Sequence, residues 1–296
     1  MLVLSLLALG PGVGFLSQNL LRPPPTPGPT ARLDTAYMPQ AAMDIVISTY
    51  AEALPTLSSL IHTLRTHPST PPSARVYIYT KSPTSNLTAL RLSTNATVTR
   101  LPNIGREGET YLTHILTHWD DLARHVLFLQ ASVHNPREAW PRLARYFTSQ
   151  TGMLSLGPTG TTCPCGHCGD RWGWTDSGVI PATWAAVYGN TTTCGTVGLT
   201  YKGQFIASAK RIRGVGRGVY EALRMGLVDM GGEMHGPRYV RGREDRADAP
   251  YFGFAVERVW GLVLQCAGGE AGMRCPSLLA GWRRGGESGD CGCFDG

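Results

Sequence analysis

Two glycines, Gly105 and Gly108, bracket an Arg106–Glu107 pair in the stretch Leu101-Pro-Asn-Ile-Gly-Arg-Glu-Gly-Glu-Thr-Tyr-Leu-Thr-His-Ile. A guanidinium and a carboxylate in a glycine-hinged turn, ahead of a helix, suit a polar ligand. The same two groups also suit a local ion pair that fixes the turn, worth little if exposed. Glu257-Arg258 interrupts the apolar helical run Pro250–Leu264. A carboxylate there needs a partner or a task, because burying it unpaired is costly. The favoured reading is an internal pair with Arg258 that orients the helix. Asp170, just past Cys168-Gly, reads equally as a turn cap and as a catalytic carboxylate. His114 and His118 share a helical face at a spacing that suits zinc. No accompanying Glu completes a metal motif, so solvated helix histidines are expected.

Strands and helices must position these groups. Asp44–Tyr50, Arg75–Thr80, Thr97–Leu101 and His125–Gln130 read as strands, with helices over Pro55–Leu64 and Glu109–His118 between them. Such alternation predicts an α/β fold with a mostly parallel central sheet flanked by helices. Ligands of such sheets sit beyond the carboxyl ends of the strands. Those ends here are Ser48–Glu52, Thr80–Lys81, Asn103–Glu107 and Gln130–His134, all polar or charged. Farther along, Thr162–Trp184 is an irregular insertion rich in Cys and Trp, expected as a long loop or cap. Leu199–Ser208 reads as a strand ending at a polar position, and Val219–Leu227 and Pro250–Leu264 as helices.

The chain has 296 residues, 42% of them hydrophobic, enough for a sizeable core. Its net charge of +6 rests almost wholly on arginine, since Lys81, Lys202 and Lys210 are the only lysines. The basic residues are scattered, and the cluster Arg238–Arg246 is diluted by Glu244, Asp245 and Asp248. That argues against nucleic acid and suits an anionic small molecule or glycan ligand. Residues 1–21 read as a signal peptide or signal anchor, with possible membrane attachment. Residues 22–42 are a Pro-rich linker, 43–282 a single α/β domain, and 283–296 a Gly-rich disordered tail. The acceptor sequons at Asn86, Asn95 and Asn190 and the even count of 8 cysteines fit a secretory route, Golgi/ER membrane-anchored or secreted. Disulfides are favoured over a zinc site at Cys163-Pro-Cys-Gly-His-Cys168, whose second half is missing.

The blocks Ile45-Val-Ile-Ser-Thr-Tyr, Tyr79-Thr-Lys, the Asn103-Ile-Gly-Arg-Glu-Gly turn, Leu127-Phe-Leu-Gln, Cys168-Gly-Asp, Gln204-Phe-Ile-Ala-Ser and Glu257-Arg-Val-Trp-Gly resemble the fungal family DUF3431, which is uncharacterised. More distantly, the arrangement is similar to GT-A-type glycosyltransferases, with a GT-A/Rossmann-like sheet. By that resemblance Ser48, Thr49 and Tyr50 line a nucleotide. Asn103, Arg106 and Glu107 face a diphosphate or sugar, and Glu257 stands near the acceptor or is the base. Lys81, Gln130, His134 and Gln204 complete the ligand-binding candidates, and the catalytic candidates are Glu257, Asp170 and Glu107. The sequence departs from the glycosyltransferase pattern after Gln130: Ala-Ser-Val-His-Asn-Pro follows, with no Asp-x-Asp. A divalent Mn or Mg cofactor is possible, but the carboxylates that usually hold one are absent. Three readings follow. The chain transfers a sugar from a nucleotide-sugar donor, or it binds a sugar or nucleotide without catalysis. The third is a hydrolase using Asp170, Glu257 or His134 as acid and base, with no Gly-x-Ser-x-Gly elbow to support it.

Overall fold

The computed structural model describes residues 29–158, 161–266, 268, 275 and 288–295. The expectations for residues 1–21 and for linker residues 22–28 lie outside them. No helix among the described residues is long and apolar enough to cross a membrane.

Strand β1 (Met43–Thr49) is buried along its whole length, as its Ile45-Val-Ile run suits a strand covered on both faces, and the buried Asp44 is paired with Arg75 at 2.6 Å. Helix α1 (Leu54–Thr66) follows, then β2 (Arg75–Thr80), α2 (Leu87–Thr94), β3 (Thr97–Arg100), α3 (Arg106–Thr117) and β4 (His125–Gln130). These four strands form a parallel half-sheet in the order β3-β2-β1-β4. The chain builds outward from β1 to β3, then crosses back to lay β4 on the other side of β1. That reversal is a topological switch point, where the flanking loops part and leave a crevice.

Beyond β4 the sheet becomes mixed. Helix α4 (Pro136–Tyr146) leads to β5 (Thr151–Ser155); β8 (Phe205–Ser208) inserts between β4 and β5, antiparallel to both. Between β5 and β8 lie β6 (Thr162–Pro164), α5 (Val179–Tyr188) and β7 (Thr196–Gly198). Then come α6 (Ala209–Gly214), α7 (Arg217–Val228), α8 (Pro237–Val240), α9 (Phe252–Val263), α10 (Ser288–Cys291) and β9 (Gly292–Phe294).

Alternation along the strands divides the core into two layers. Ile45, Ile47, Val76, Ile78, Leu127 and Leu129 pack with Leu57, Leu60, Ile61 and Leu64 of α1 and Leu143 of α4. On the opposite face Val46, Tyr77, Tyr79, Val126 and Phe128 pack with Tyr111 and Ile115 of α3, Tyr220 of α7 and Trp260 of α9. Each large apolar side chain buried in this way contributes about 1.5–3 kcal/mol.

Several expectations are corrected. The strand foreseen at Leu199–Ser208 is confined to Phe205–Ser208, because Lys202 and Gly203 both take positive φ (71° and 54°) and turn the chain. The Cys/Trp-rich insertion holds β6, which pairs with β7 beyond it, and the start of α5 rather than only a loop. Disulfides Cys163–Cys168 and Cys165–Cys194 staple it, which removes the thiolates a zinc site there would use. The tail is not disordered over 288–295: β9 pairs with β5, Cys293 is bonded to Cys266 and Cys291 to Cys275. Four disulfides mark an oxidising compartment. His114 is fully buried rather than solvated. It bonds the Tyr79 hydroxyl through Nδ1 at 2.9 Å and stacks on His118 with ring centroids 4.5 Å apart.

Candidate functional site

The turn before α3 is set by backbone conformation. Gly105 (φ 69°) and Arg106 (φ 51°) are both left-handed. At Gly105 a Cβ would come within 2.6 Å of the Glu109 Cβ, so only glycine fits there. Arg106 has no such exemption, and holding a long side chain in this region costs of order 1 kcal/mol. The turn is fastened from two sides. Gly105 N–H donates to the Ala247 carbonyl at 2.8 Å. Lys81, at the end of β2, is buried; its Nζ donates to the Ile104 carbonyl and, at 2.7 Å, to Glu109 Oε2. Burial pulls the Lys81 amine below its usual range, and the Glu109 charge opposes that pull. Lys81 is therefore spent inside the protein instead of on a ligand.

Beyond this turn, at the carboxyl edge of β4, lies a cleft of about 370 Å³. Arg106, Glu107, Gln130, His134 and Glu257 all line it, together with Trp172, Tyr201, Lys202, Phe254 and Arg258. Three separate parts of the sequence thus supply the predicted groups: the turn before α3, the end of β4 and the middle of α9. Gln204 belongs to the same assembly. Its Nε2 donates to the His134 carbonyl at 2.8 Å, and its Oε1 accepts from the His134 N–H at 3.1 Å.

The hydrogen bonds define the chemical state of the cleft. Gln130 Nε2 donates to the Lys202 carbonyl at 3.1 Å. Its Oε1 can then only accept, and His134 Nε2 lies 3.2 Å away. His134 therefore carries its proton on Nε2 and keeps a lone pair on Nδ1. Burial, aided by the Lys202 charge, holds the His134 imidazole below its ordinary value and favours the neutral form. Glu257 Oε1 accepts from the Lys202 N–H at 2.9 Å. Glu107 differs. Burial raises its carboxyl above the usual range, its own backbone N–H pulls it back, and the Glu257 charge adds to the rise. Two carboxyls in unlike surroundings, one biased toward the acid and one bonded as an acceptor, can divide acid and base roles. Gly203 keeps room for them: a Cβ there would stand 3.3 Å from Glu107 Cγ.

Other expectations are placed elsewhere. Glu257 does not pair with Arg258. Arg258 Nε instead bonds Asp170 Oδ2 at 2.7 Å, with both side chains buried. Asp170 Oδ1 accepts from the Trp172 and Trp174 amides at 2.9 and 3.2 Å. Its carboxylate is thus a turn cap and the counter-ion of Arg258, and it does not line the cleft. Ser48 Oγ is buried at 3.0 Å from Thr110 Oγ1, and Thr49 Oγ1 donates to Glu52 Oε2 at 2.6 Å. Tyr50 and Asn103 are exposed outside the cleft. Arg106 makes no ion pair with Glu107 among the described residues; its guanidinium lies 4.9 Å over the Phe254 ring. The lining residues missed from the sequence are Trp172, Tyr201, Lys202 and Phe254. Only the crowding of tryptophans around 172–184 hinted at them.

Among the described residues no group of three or more His, Cys, Asp or Glu is arranged to hold a metal ion. The donor set at the end of β4 does not fit a divalent ion bridging a diphosphate.

Fold and cleft together define an open α/β-sheet protein with a candidate cleft at the carboxyl edge of a mixed, largely parallel sheet. No protein-family model and no curated protein matches the chain. Among solved structures, a mannosyltransferase from Pyrobaculum calidifontis in complex with GDP-Man and Mn2+ is 17% identical over 48% of this chain and 41% of its own, with a TM-score of 0.29. Glucosyl-3-phosphoglycerate synthase from Mycobacterium tuberculosis in complex with UDP is 14% identical over 64% of this chain and 65% of its own, with a TM-score of 0.33. In each case the match spans less than two thirds of the neighbour's length.

Proposed function

We propose that the cleft binds a nucleotide sugar and transfers its sugar without a resident divalent metal. The observation that carries this reading is the meeting of Arg106, Glu107, Gln130, His134 and Glu257 in one cleft at the sheet's carboxyl edge. In the transfer step an acceptor hydroxyl oxygen attacks the anomeric carbon and the carbon–oxygen bond to the diphosphate breaks. Glu257, bonded to the Lys202 N–H, takes the acceptor proton. Arg106, without an ion pair among the described residues, faces the negative charge developing on the leaving diphosphate, the part a metal plays elsewhere. Gln130 and His134 offer hydrogen bonds to sugar hydroxyls.

A second reading, a carboxylate-dependent glycan hydrolase, draws on the unlike surroundings of Glu107 and Glu257, which suit an acid and a base on either side of a glycosidic bond. Titration of the purified protein with a panel of UDP- and GDP-sugars, with and without Mn2+, decides between them. Binding of at least one donor, unchanged by Mn2+, is the expected result. Failure of every nucleotide to bind, with release of sugar from a glycan, would leave the hydrolase reading in its place.

The same proposal puts the protein in the secretory pathway, Golgi/ER membrane-anchored or secreted, with glycans on Asn86, Asn95 and Asn190. All three side chains are exposed. Asn86 caps α2 through Oδ1, at 3.0 Å from the Ala89 N–H, which leaves its amide nitrogen outside that bond. A mobility shift on endoglycosidase treatment, lost in a triple Asn→Gln variant, is the expected outcome.

A further inference from the structure

Across the wall formed by Arg106, Trp172, Phe254 and Arg258 lies a second compartment of about 380 Å³. Its remaining lining includes Trp174, Arg243, Glu244, Arg246 and Tyr251. Four arginines face it, and their partners separate them into two kinds. Arg258 is neutralised by Asp170, and Arg246 by Glu244 at 2.7 Å and Asp248 at 3.1 Å. Arg106 and Arg243 have no carboxylate within ion-pair reach among the described residues. Arg243 donates only to neutral groups, the Tyr251 hydroxyl and, at 2.9 Å, the Gly173 carbonyl. Its guanidinium also lies 4.9 Å from the Tyr251 ring centroid. Those contacts orient the guanidinium and leave its charge uncompensated.

The two unpaired arginines are held by linked segments. The Gly105–Ala247 hydrogen bond ties the Arg106 turn to the loop after Arg243. Asp245 closes that loop by accepting from the Tyr251 N–H at 2.6 Å. Beside them, Trp172 is 53% exposed although its ring is braced 4.8 Å from Tyr201. A large apolar ring held open to solvent at a cleft mouth is a ready surface for a sugar or base.

We propose that this compartment is a phosphate subsite: it takes the phosphate of a phosphorylated ligand between Arg106 and Arg243, with the ligand's ring against Trp172. Planar, permanently charged guanidinium groups match a phosphate in charge and geometry. The phosphate belongs either to the donor's diphosphate or to a phosphorylated sugar acceptor. The inference rests on the nucleotide-sugar reading only for which molecule brings the phosphate.

The test is calorimetric titration of the folded, disulfide-bonded protein with inorganic pyrophosphate, UDP, GDP, glucose 6-phosphate and, as the uncharged control, glucose. Tryptophan fluorescence is followed in parallel. Pyrophosphate and at least one phosphorylated probe are expected to bind and glucose alone is not. Arg243→Gln weakens that binding by about tenfold or more, as loss of a charge-assisted hydrogen bond requires. Arg243→Lys retains part of it, and Arg217→Gln, on the exposed face of α7, leaves it unchanged. Melting curves of the variants establish that they fold. Simultaneous binding of UDP and glucose 6-phosphate assigns the phosphate to an acceptor, and competition between them assigns it to the donor. If nucleotide sugars do not bind but pyrophosphate and glucose 6-phosphate do so through Arg243, the subsite stands and the nucleotide-sugar reading fails. If nucleotide sugars bind equally well to Arg243→Gln and glucose 6-phosphate does not bind, the subsite is refuted and the reading survives. Absence of all binding overturns both.

Discussion

Replacing Asp170 with Asn separates a structural carboxylate from a catalytic one. Asp170 Oδ2 bonds Arg258 Nε at 2.7 Å, with side-chain exposures of 0% and 5% for Asp and Arg. Asn keeps an oxygen for the Trp172 and Trp174 amides and removes the charge. Arg258 is then a buried cation left with the Phe254 carbonyl at 2.8 Å and the rings of Trp174 and Tyr201, 4.9 and 5.2 Å away. Breaking a buried pair from one side costs about 3–5 kcal/mol. Cation–π contacts retain about 1 kcal/mol of that. The net loss expected for Asp170→Asn is therefore about 2–4 kcal/mol. Urea unfolding under non-reducing conditions measures it as a lower midpoint at constant slope. The double variant Asp170→Asn/Arg258→Met, which removes both charges and keeps an oxygen for the Trp172 and Trp174 amides, should recover most of the loss. The reasoning is refuted if Asp170→Asn unfolds within about 0.5 kcal/mol of wild type while ligand binding or turnover collapses. Asp170 would then be acting on a ligand rather than on Arg258.

Further expectations concern titration and cross-links. Burial, with the charges of His118 and Arg75 adding to it, holds His114 well below the ordinary histidine value of 6.5. The unfolded chain therefore takes up a proton that the folded chain refuses. The His114 contribution is complete above that value and is lost as pH falls below it, by up to about 1.4 kcal/mol per pH unit. His114→Gln should flatten the acid limb of a stability–pH curve. Glu107 has the opposite sign, because its carboxyl is raised above the ordinary value of 4.5. Its contribution is present below that value and is lost as pH rises through the folded-state value. Glu107→Gln should be more stable than wild type at neutral pH and lose that advantage at about pH 4, measured by urea unfolding. Replacing Cys266 and Cys293 by Ala opens a cross-link spanning 27 residues. Thermal unfolding should reveal a loss of about 3.5 kcal/mol by the loop-entropy relation. Hydrogen exchange should rise first in β9, which the bond tethers beside β5.

The parallel half of the sheet was legible in the sequence because its signals are local. Strands β1, β2 and β4 carry continuous apolar runs, and α1 repeats leucine and isoleucine at helical spacing; neither pattern needs a distant partner to be read. The polar loops at one edge followed from that alternation, and with them Arg106, Glu107, Gln130 and His134 as candidates. The sequence also supplied Glu257 as a carboxylate needing a reason to be there, and an even set of cysteines with a preference for disulfides. Tertiary structure decided which charges are free. Lys81, Ser48 and Asp170 look like Arg106 and Glu107 in composition, yet Lys81 is consumed by Glu109, Ser48 by Thr110 and Asp170 by Arg258. An ion pair between residues 88 positions apart leaves no local pattern, since its energy comes from a desolvated contact that exists only after the chain has folded. The same holds for β8, whose insertion between β4 and β5 brings the Lys202 amide to Glu257. The residue types fixed what chemistry was available, and the packing of α3, α9 and β8 around the end of β4 decided which candidate side chains meet in one cleft.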